Sequence, residues 1–184
     1  MRATDYPYCQ SPFTVLAHRG GAGMAINKGI ENTLAAFGHA VEVGCTYLET
    51  DVHATSDGVL VAFHDPILDR VTESGGVIAA MPWHKVKQAK VGGEPIPTLD
   101  EILDAFPEAF INIDIKHDGA TMPLIDVLSR HRAWSRVCVG SFSSKRIQTF
   151  RRLVQGRTAT AVGPVGVGWA VIGPHSMQMA QSHG

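Results

Sequence analysis

Six short runs with strand character, separated by helical patterns, do more than any other feature to limit what this 184-residue chain can fold into. They are Thr14 to His18 (TVLAH), Thr46 to Val52 (TYLETDV), Val59 to His64 (VLVAFH), Phe110 to Lys116 (FINIDIK), Arg136 to Phe142 (RVCVGSF) and Thr158 to Gly163 (TATAVG). Each is apolar or alternating and rich in the β-branched and aromatic residues that suit a pleated surface. Between them, residues 31–44, 98–106, 121–131 and 143–156 carry apolar positions at helical spacing. Thr98, three residues before Glu101, and Ser143 read as N-caps, while Gly44 and Gly156 stand where helices end. Repeated strand-helix units with short joints imply a mostly parallel α/β sheet, either open and doubly wound or closed as a barrel.

One joint breaks the rhythm. Only HATSDG separates the second run from the third, too little for a helical crossover and well suited to a tight turn. A two-residue turn at Asp57 and Gly58 predicts an antiparallel pair in which Asp51 lies opposite His64, both side chains on one face.

Charged residues collect where these strands end: His18 and Arg19, Glu49 and Asp51, His64 and Asp65, Asp114 and Lys116. Alternation puts Glu49 and Asp51 on one face, and likewise Asp114 and Lys116. Charges are seldom buried unless paired, yet these interrupt runs that otherwise read as core. Three carboxylates with a common direction offer hard oxygen ligands to a magnesium- or calcium-like ion. Histidines exchange protons near neutral pH, and Arg and Lys hold anions, phosphate above all. Barrels and open α/β sheets both place sites at the carboxyl ends of parallel strands, where His18, His64 and Lys116 fall. Gly20, Gly21 and Gly23 follow His18 and Arg19 without a GxGxxG or GxxxxGK[ST] pattern and read as a flexible loop.

Lys plus Arg number 16 against 17 Asp plus Glu, so no basic surplus points to nucleic acid or an anionic membrane. No run approaches the roughly 18 apolar residues of a spanning helix, and the first residues lack the apolar core of a signal peptide. The expected location is cytoplasmic, with no stable membrane insertion. Cys9, Cys45 and Cys138 are odd in number and widely spaced, which points to neither a disulfide framework nor a zinc site.

The strings AHRG and ENT, then LETDV, TSDGVLVAFHD, PTLDEIL, INIDIK and VGSF, resemble the glycerophosphodiester phosphodiesterase family over about Thr14 to Phe150. That family is a group of phosphatidylinositol-phospholipase-C-like barrels. The resemblance implies that His18 and His64 form an acid-base pair and that Glu49, Asp51 and Asp114 bind one divalent cation, Mg2+ or Ca2+. It also implies that Arg19 and Lys116 contact the phosphate and that Glu31 supports the site near Arg19. The implied reaction cleaves a small glycerophosphodiester to an alcohol and glycerol 3-phosphate, with water or the substrate's own hydroxyl as first nucleophile. Asp114 stands where the family commonly has Glu, one methylene longer.

The implied fold is a TIM-type (β/α) barrel, incomplete at its C-terminal end: about six of eight strands are identifiable, and a closed barrel runs to about 250 residues. The organisation expected is an N-terminal extension over 1–13, a truncated barrel domain over 14–163 and an atypical tail over 164–184. Val165 to Ile172 is a candidate patch for an exposed strand edge, and a homo-oligomer is another way to cover one. Two other functional readings stand beside the hydrolase: a non-catalytic barrel remnant or assembly module, and a sphingomyelinase-D-like phospholipase.

Overall fold

A computed structural model describes residues 2–11 and 14–161. All six strand runs appear in it: β1 (Leu16–Ala17), β2 (Tyr47–Ala54), β3 (Leu60–Ala62), β6 (Phe110–Ile115), β7 (Val137–Gly140) and β8 (Ala159–Thr160). So do the four helices, α1 (Leu34–Glu42), α3 (Leu99–Ala105), α4 (Thr121–Arg130) and α5 (Ser144–Val154). Two further pieces lie between Ala62 and Leu99: the four-residue helix α2 (Trp83–Val86) and a small hairpin of β4 (Lys90–Val91) and β5 (Glu94–Pro95). The expected tail 164–184, including Val165 to Ile172, lies outside the described residues.

The main sheet runs β1-β2-β6-β7-β8, every neighbour pair parallel. β3 is the exception and pairs antiparallel with the far end of β2, on the side that β1 occupies at the near end. Caps fall where the sequence places them. Thr98 and Glu101 form a reciprocal capping box at the start of α3, and the Ser143 hydroxyl accepts from the Arg146 amide at the start of α5.

Alternation then sorts the side chains. Leu48, Val52, Ile111, Ile113, Ile115, Val137 and Val139 join Phe37, Leu99, Leu124 and Phe150 in one buried core between sheet and helices. The intervening residues face the other way, and Tyr47, Glu49, Asp51 and His53 of β2 are all buried there.

The β2-β3 register differs from the one expected. Val52 faces Ala62, His53 faces Val61 and Ala54 faces Leu60, and the Phe63 amide donates to the Asp51 carbonyl. Phe63, not His64, is therefore opposite Asp51. The cause is a turn one residue longer: the Thr55 amide donates to the Val59 carbonyl at 2.9 Å, closing a loop over residues 56–58. Gly58 takes the left-handed position with φ of 82°. Thr55 Oγ1 stabilises this loop by accepting from the Val59 amide at 3.0 Å and donating to Asp57 Oδ1 at 2.6 Å.

Candidate active site

β1 ends into a single 3-10 turn, His18–Gly20, in which Arg19 is left-handed with φ of 51°. That conformation is sparsely populated by residues with a Cβ, and here it aims the Arg19 amide at Glu49 Oε2, 2.8 Å away. Two of the glycines that follow, Gly20 and Gly21, are hydrogen-bonded through their carbonyls. Asn27 Nδ2 donates to the carbonyls of Gly20 at 2.9 Å, Gly21 at 3.2 Å and Ala36 at 3.2 Å, stapling the loop to α1. Gly20 also packs directly on Phe37, where a Cβ would meet the ring at 3.0 Å.

Around this turn the eight expected residues join one polar network. Arg19 Nη1 reaches Glu31 Oε1 at 3.3 Å, and Nε lies 3.5 Å from Asp51 Oδ2. Lys116 Nζ bridges the paired strands, 2.9 Å from Asp51 Oδ1 and 2.6 Å from Asp114 Oδ2, as expected for directly registered neighbours on β2 and β6. His18, 66% exposed, lies with Nε2 3.9 Å from Glu49 Oε2. His64 Nδ1 is 2.7 Å from Asp65 Oδ1. It joins the rest not across the β-ladder but through Asp65, Arg70 and Glu31: Arg70 Nε donates to Asp65 Oδ2 and its terminal nitrogens to both oxygens of Glu31.

Two members, Asn32 and Arg70, escape the sequence reading, and a third, Asp65, enters it without a role. Asn32 sits inside the quoted ENT string, buried and left-handed at φ of 59°. It donates to Asp51 Oδ2 at 3.1 Å and accepts from Thr50 Oγ1 at 2.9 Å. Asp65, grouped with the strand-end charges but given no role there, is the partner of His64. Arg70 carried no signal in its own strand or helix.

The electrostatics are those of a site short of positive charge. Burial, then the charge of Asp51, lifts the Glu49 carboxyl to about 7, with the Arg19 amide only partly opposing. Burial works against the Lys116 ammonium, but Asp114 and Asp51 outweigh it and its pKa is raised. Among the described residues, the buried side-chain atoms without a hydrogen-bond partner are Arg19 Nε and Asp114 Oδ1, both in this network. No three His, Cys, Asp or Glu side chains among those residues are arranged to hold a metal ion; Lys116 Nζ stands between the two aspartates instead. The donor set still suits a hard divalent cation. Glu49, Asp51 and Asp114 supply only carboxylate oxygens, one of them buried and unpartnered, and their mutual repulsion is what such an ion would relieve.

Next to the site, His53 is 3% exposed and donates from Nε2 to the His64 carbonyl at 3.1 Å. Burial, more than any other influence, lowers its pKa. A depressed base keeps its full stabilising effect above the unfolded pKa near 6.5 and loses it as pH falls. Urea unfolding at pH 8 and pH 5 should therefore show a smaller loss on acidification in His53→Gln than in wild type. Equal losses in the two proteins would contradict a buried neutral imidazole.

The family model for glycerophosphoryl diester phosphodiesterases matches residues 18–161. The chain belongs to that family. A curated family member from Mycobacterium tuberculosis, named probable glycerophosphodiester phosphodiesterase 2, is 39% identical over 149 residues, covering 80% of this chain and 55% of its own length. A glycerophosphodiester phosphodiesterase of Caldanaerobacter subterraneus subsp. tengcongensis is 32% identical over 155 residues, covering 76% and 62%. The chain thus spans about three fifths of these two relatives. An Oleispira antarctica phosphodiesterase solved with the product sn-glycerol-3-phosphate superposes with a TM-score of 0.73 at 28% identity, over 84% of this chain and 66% of that one. The mostly parallel sheet of this glycerophosphodiesterase-family chain is accordingly part of a TIM-type barrel, and its polar network lies at the strand ends where such barrels carry chemistry. No helix among the described residues is long and apolar enough to cross a membrane.

Proposed function

We propose that this chain hydrolyses glycerophosphodiesters to an alcohol and glycerol 3-phosphate, with His18 and His64 as the proton-transfer pair. The observation that carries the reading is the single network joining both histidines, three carboxylates and two cationic side chains across β1, β2, β3 and β6. Family membership agrees with it.

Arg19 and Lys116 supply positive charge for the phosphoryl oxygens, where charge grows as the diester is attacked. Arg19 is already aimed: its backbone is fixed on Glu49 and its guanidinium lies between Glu31 and Asp51. His64 has Nδ1 engaged by a carboxylate, which leaves Nε2 as the nitrogen facing a substrate. His18, largely exposed at the site's rim, can reach the opposite side of a bound diester. One imidazole removes the proton of the attacking hydroxyl and the other protonates the departing alcohol, so the pair must begin in different protonation states. Glu49, Asp51 and Asp114 would hold the divalent cation implied by the family. When bound, such an ion supplies charge stabilisation at the phosphoryl oxygens. The Lys116 ammonium, between Asp51 and Asp114, would share those carboxylates with the ion, and the Phe142 ring, its centre 5.2 Å from Nζ, lies against the same ammonium.

The test is release of glycerol 3-phosphate from glycerophosphocholine, with Mg2+ or Ca2+ and with chelator, alongside calorimetric titration of the ion. Turnover should require the cation, and Asp114→Ala should weaken cation binding by roughly tenfold or more, as expected for losing one of three carboxylate ligands. Unchanged affinity in Asp114→Ala would remove that residue from the ligand set. Metal-independent turnover would remove the ion from the chemistry.

A further inference from the structure

We infer that Arg70 is the positioning residue that joins the two working halves of this site, holding His64 through Asp65 and Arg19 through Glu31. The inference rests on the reading of His64 as a proton-transfer group. Its structural basis is one planar guanidinium between two carboxylates that come from loops 34 residues apart in sequence, as 65 minus 31. Nε donates to Asp65 Oδ2, Nη2 to Glu31 Oε1, and Nη1 to Glu31 Oε2 at 3.3 Å. The other oxygen of Asp65 meets His64 Nδ1, and Glu31 Oε1 also meets Arg19 Nη1.

The consequence for His64 is a matter of tautomers. A neutral imidazole carries its proton on either nitrogen, and an acceptor at Nδ1 selects the Nδ1–H form, leaving the Nε2 lone pair for substrate. A lone carboxylate on a loop can rotate away from that role. With Nε of Arg70 on one oxygen and Nδ1 of His64 on the other, the plane of the Asp65 carboxylate is fixed. Burial disfavours its charge, but the hydrogen bonds from Arg70 and His64 outweigh that and lower the Asp65 pKa, so it stays an acceptor. A lysine cannot copy the brace, because its ammonium is a point charge without a fork.

Arg70 is 45% exposed, and exposed ion pairs add little to stability. Orientation, not folding, is what its removal should change, and that makes the test clean. The 184-residue wild type, Arg70→Met and Arg70→Lys are compared by 15N NMR of the histidines at alkaline pH, with His64→Ala identifying the His64 signal among nine. Steady-state kcat and KM for glycerophosphocholine, and urea midpoints, complete the set.

Wild type should hold His64 as the Nδ1–H tautomer, while Arg70→Met should show a tautomer mixture, a kcat lower by ~10–100-fold and a raised KM, at nearly unchanged urea midpoint. Arg70→Lys should recover only part of the loss. Added to His64→Ala, Arg70→Met should cost clearly less further kcat than it costs alone, because the part of its effect that passes through the imidazole is already lost and only the part through Glu31 and Arg19 remains. An unchanged His64 tautomer in Arg70→Met overturns the inference, as do kcat losses that multiply in full in the double variant. Full turnover in His64→Ala would instead overturn the reading beneath it. The tautomer comparison needs no turnover and decides the brace separately.

Discussion

Alanine at His64 should lower glycerol 3-phosphate release from glycerophosphocholine by ~10²–10⁴-fold, and alanine at His18 by a similar factor. Neither change should unfold the chain. His18 is 66% exposed, and the His64 side chain is 32% exposed, so neither substitution opens a core cavity. The double variant should be little slower than the worse single one, since an acid and a base serving one displacement act as a unit and their losses do not multiply. KM should change less than kcat if, as proposed, Arg19 and Lys116 hold the phosphate, since neither substitution removes them. The measurement is single-turnover and steady-state release of glycerol 3-phosphate, with circular dichroism of each variant as the folding control. Wild-type rates in either single variant would take that histidine out of the reaction, and wild-type rates in both would return the chain to the non-catalytic remnant. The same assay run on sphingomyelin addresses the third reading: turnover of sphingomyelin in preference to glycerophosphocholine would favour it.

Strands and helices were legible because local chemistry decides them here. β-branched alternation marks β2 and β6, and Thr98 and Ser143 cap their helices with hydroxyls whose partners lie within three residues. The expected site residues were legible for a related reason: Glu49, Asp51, Asp114 and Lys116 are charges set into runs otherwise fit for burial, which is costly unless they meet. What stayed hidden depends on geometry across the chain. The β2-β3 register turned on whether the loop held two residues or three, and Asp57-Gly58 is compatible with either until Thr55 is seen closing against Val59. The β4-β5 hairpin is two residues a side and includes Pro95, too short for alternation to show. Asn32 and Asn27 work through backbone carbonyls and carboxylates of other segments, in conformations a helix-start pattern does not announce. Arg70 acquires its role only when the loops bearing Glu31 and Asp65 are brought together.

The other large effect concerns stability and its dependence on pH. Glu49 has a folded pKa of about 7 against an ordinary value of 4.5, so the folded state holds a proton that the unfolded chain has released between those limits. Folding stability from this group is therefore greatest below pH 4.5, falls as pH rises toward 7 and levels off above it. At about 1.4 kcal/mol per pH unit between 4.5 and about 7, the loss amounts to at most about 3.5 kcal/mol. Glu49→Gln keeps an oxygen for the Arg19 amide but cannot ionise. In chelator it should be more stable than wild type at pH 8, and the gap should close at pH 4.5. A divalent cation reverses this ranking if the carboxylates bind it, because the charge that destabilises the empty site is the charge that holds the ion. Saturation at about 100 times its Kd adds about 3 kcal/mol to wild type. Mg2+ or Ca2+ should accordingly raise the wild-type unfolding midpoint at pH 8, raise it less at pH 5, and raise that of Glu49→Gln least of all. Equal cation effects on both proteins at both pH values would separate Glu49 from the ion, and a gap between wild type and Glu49→Gln in chelator that is the same at pH 4.5 and pH 8 would show that its carboxyl ionises as freely in the fold as outside it.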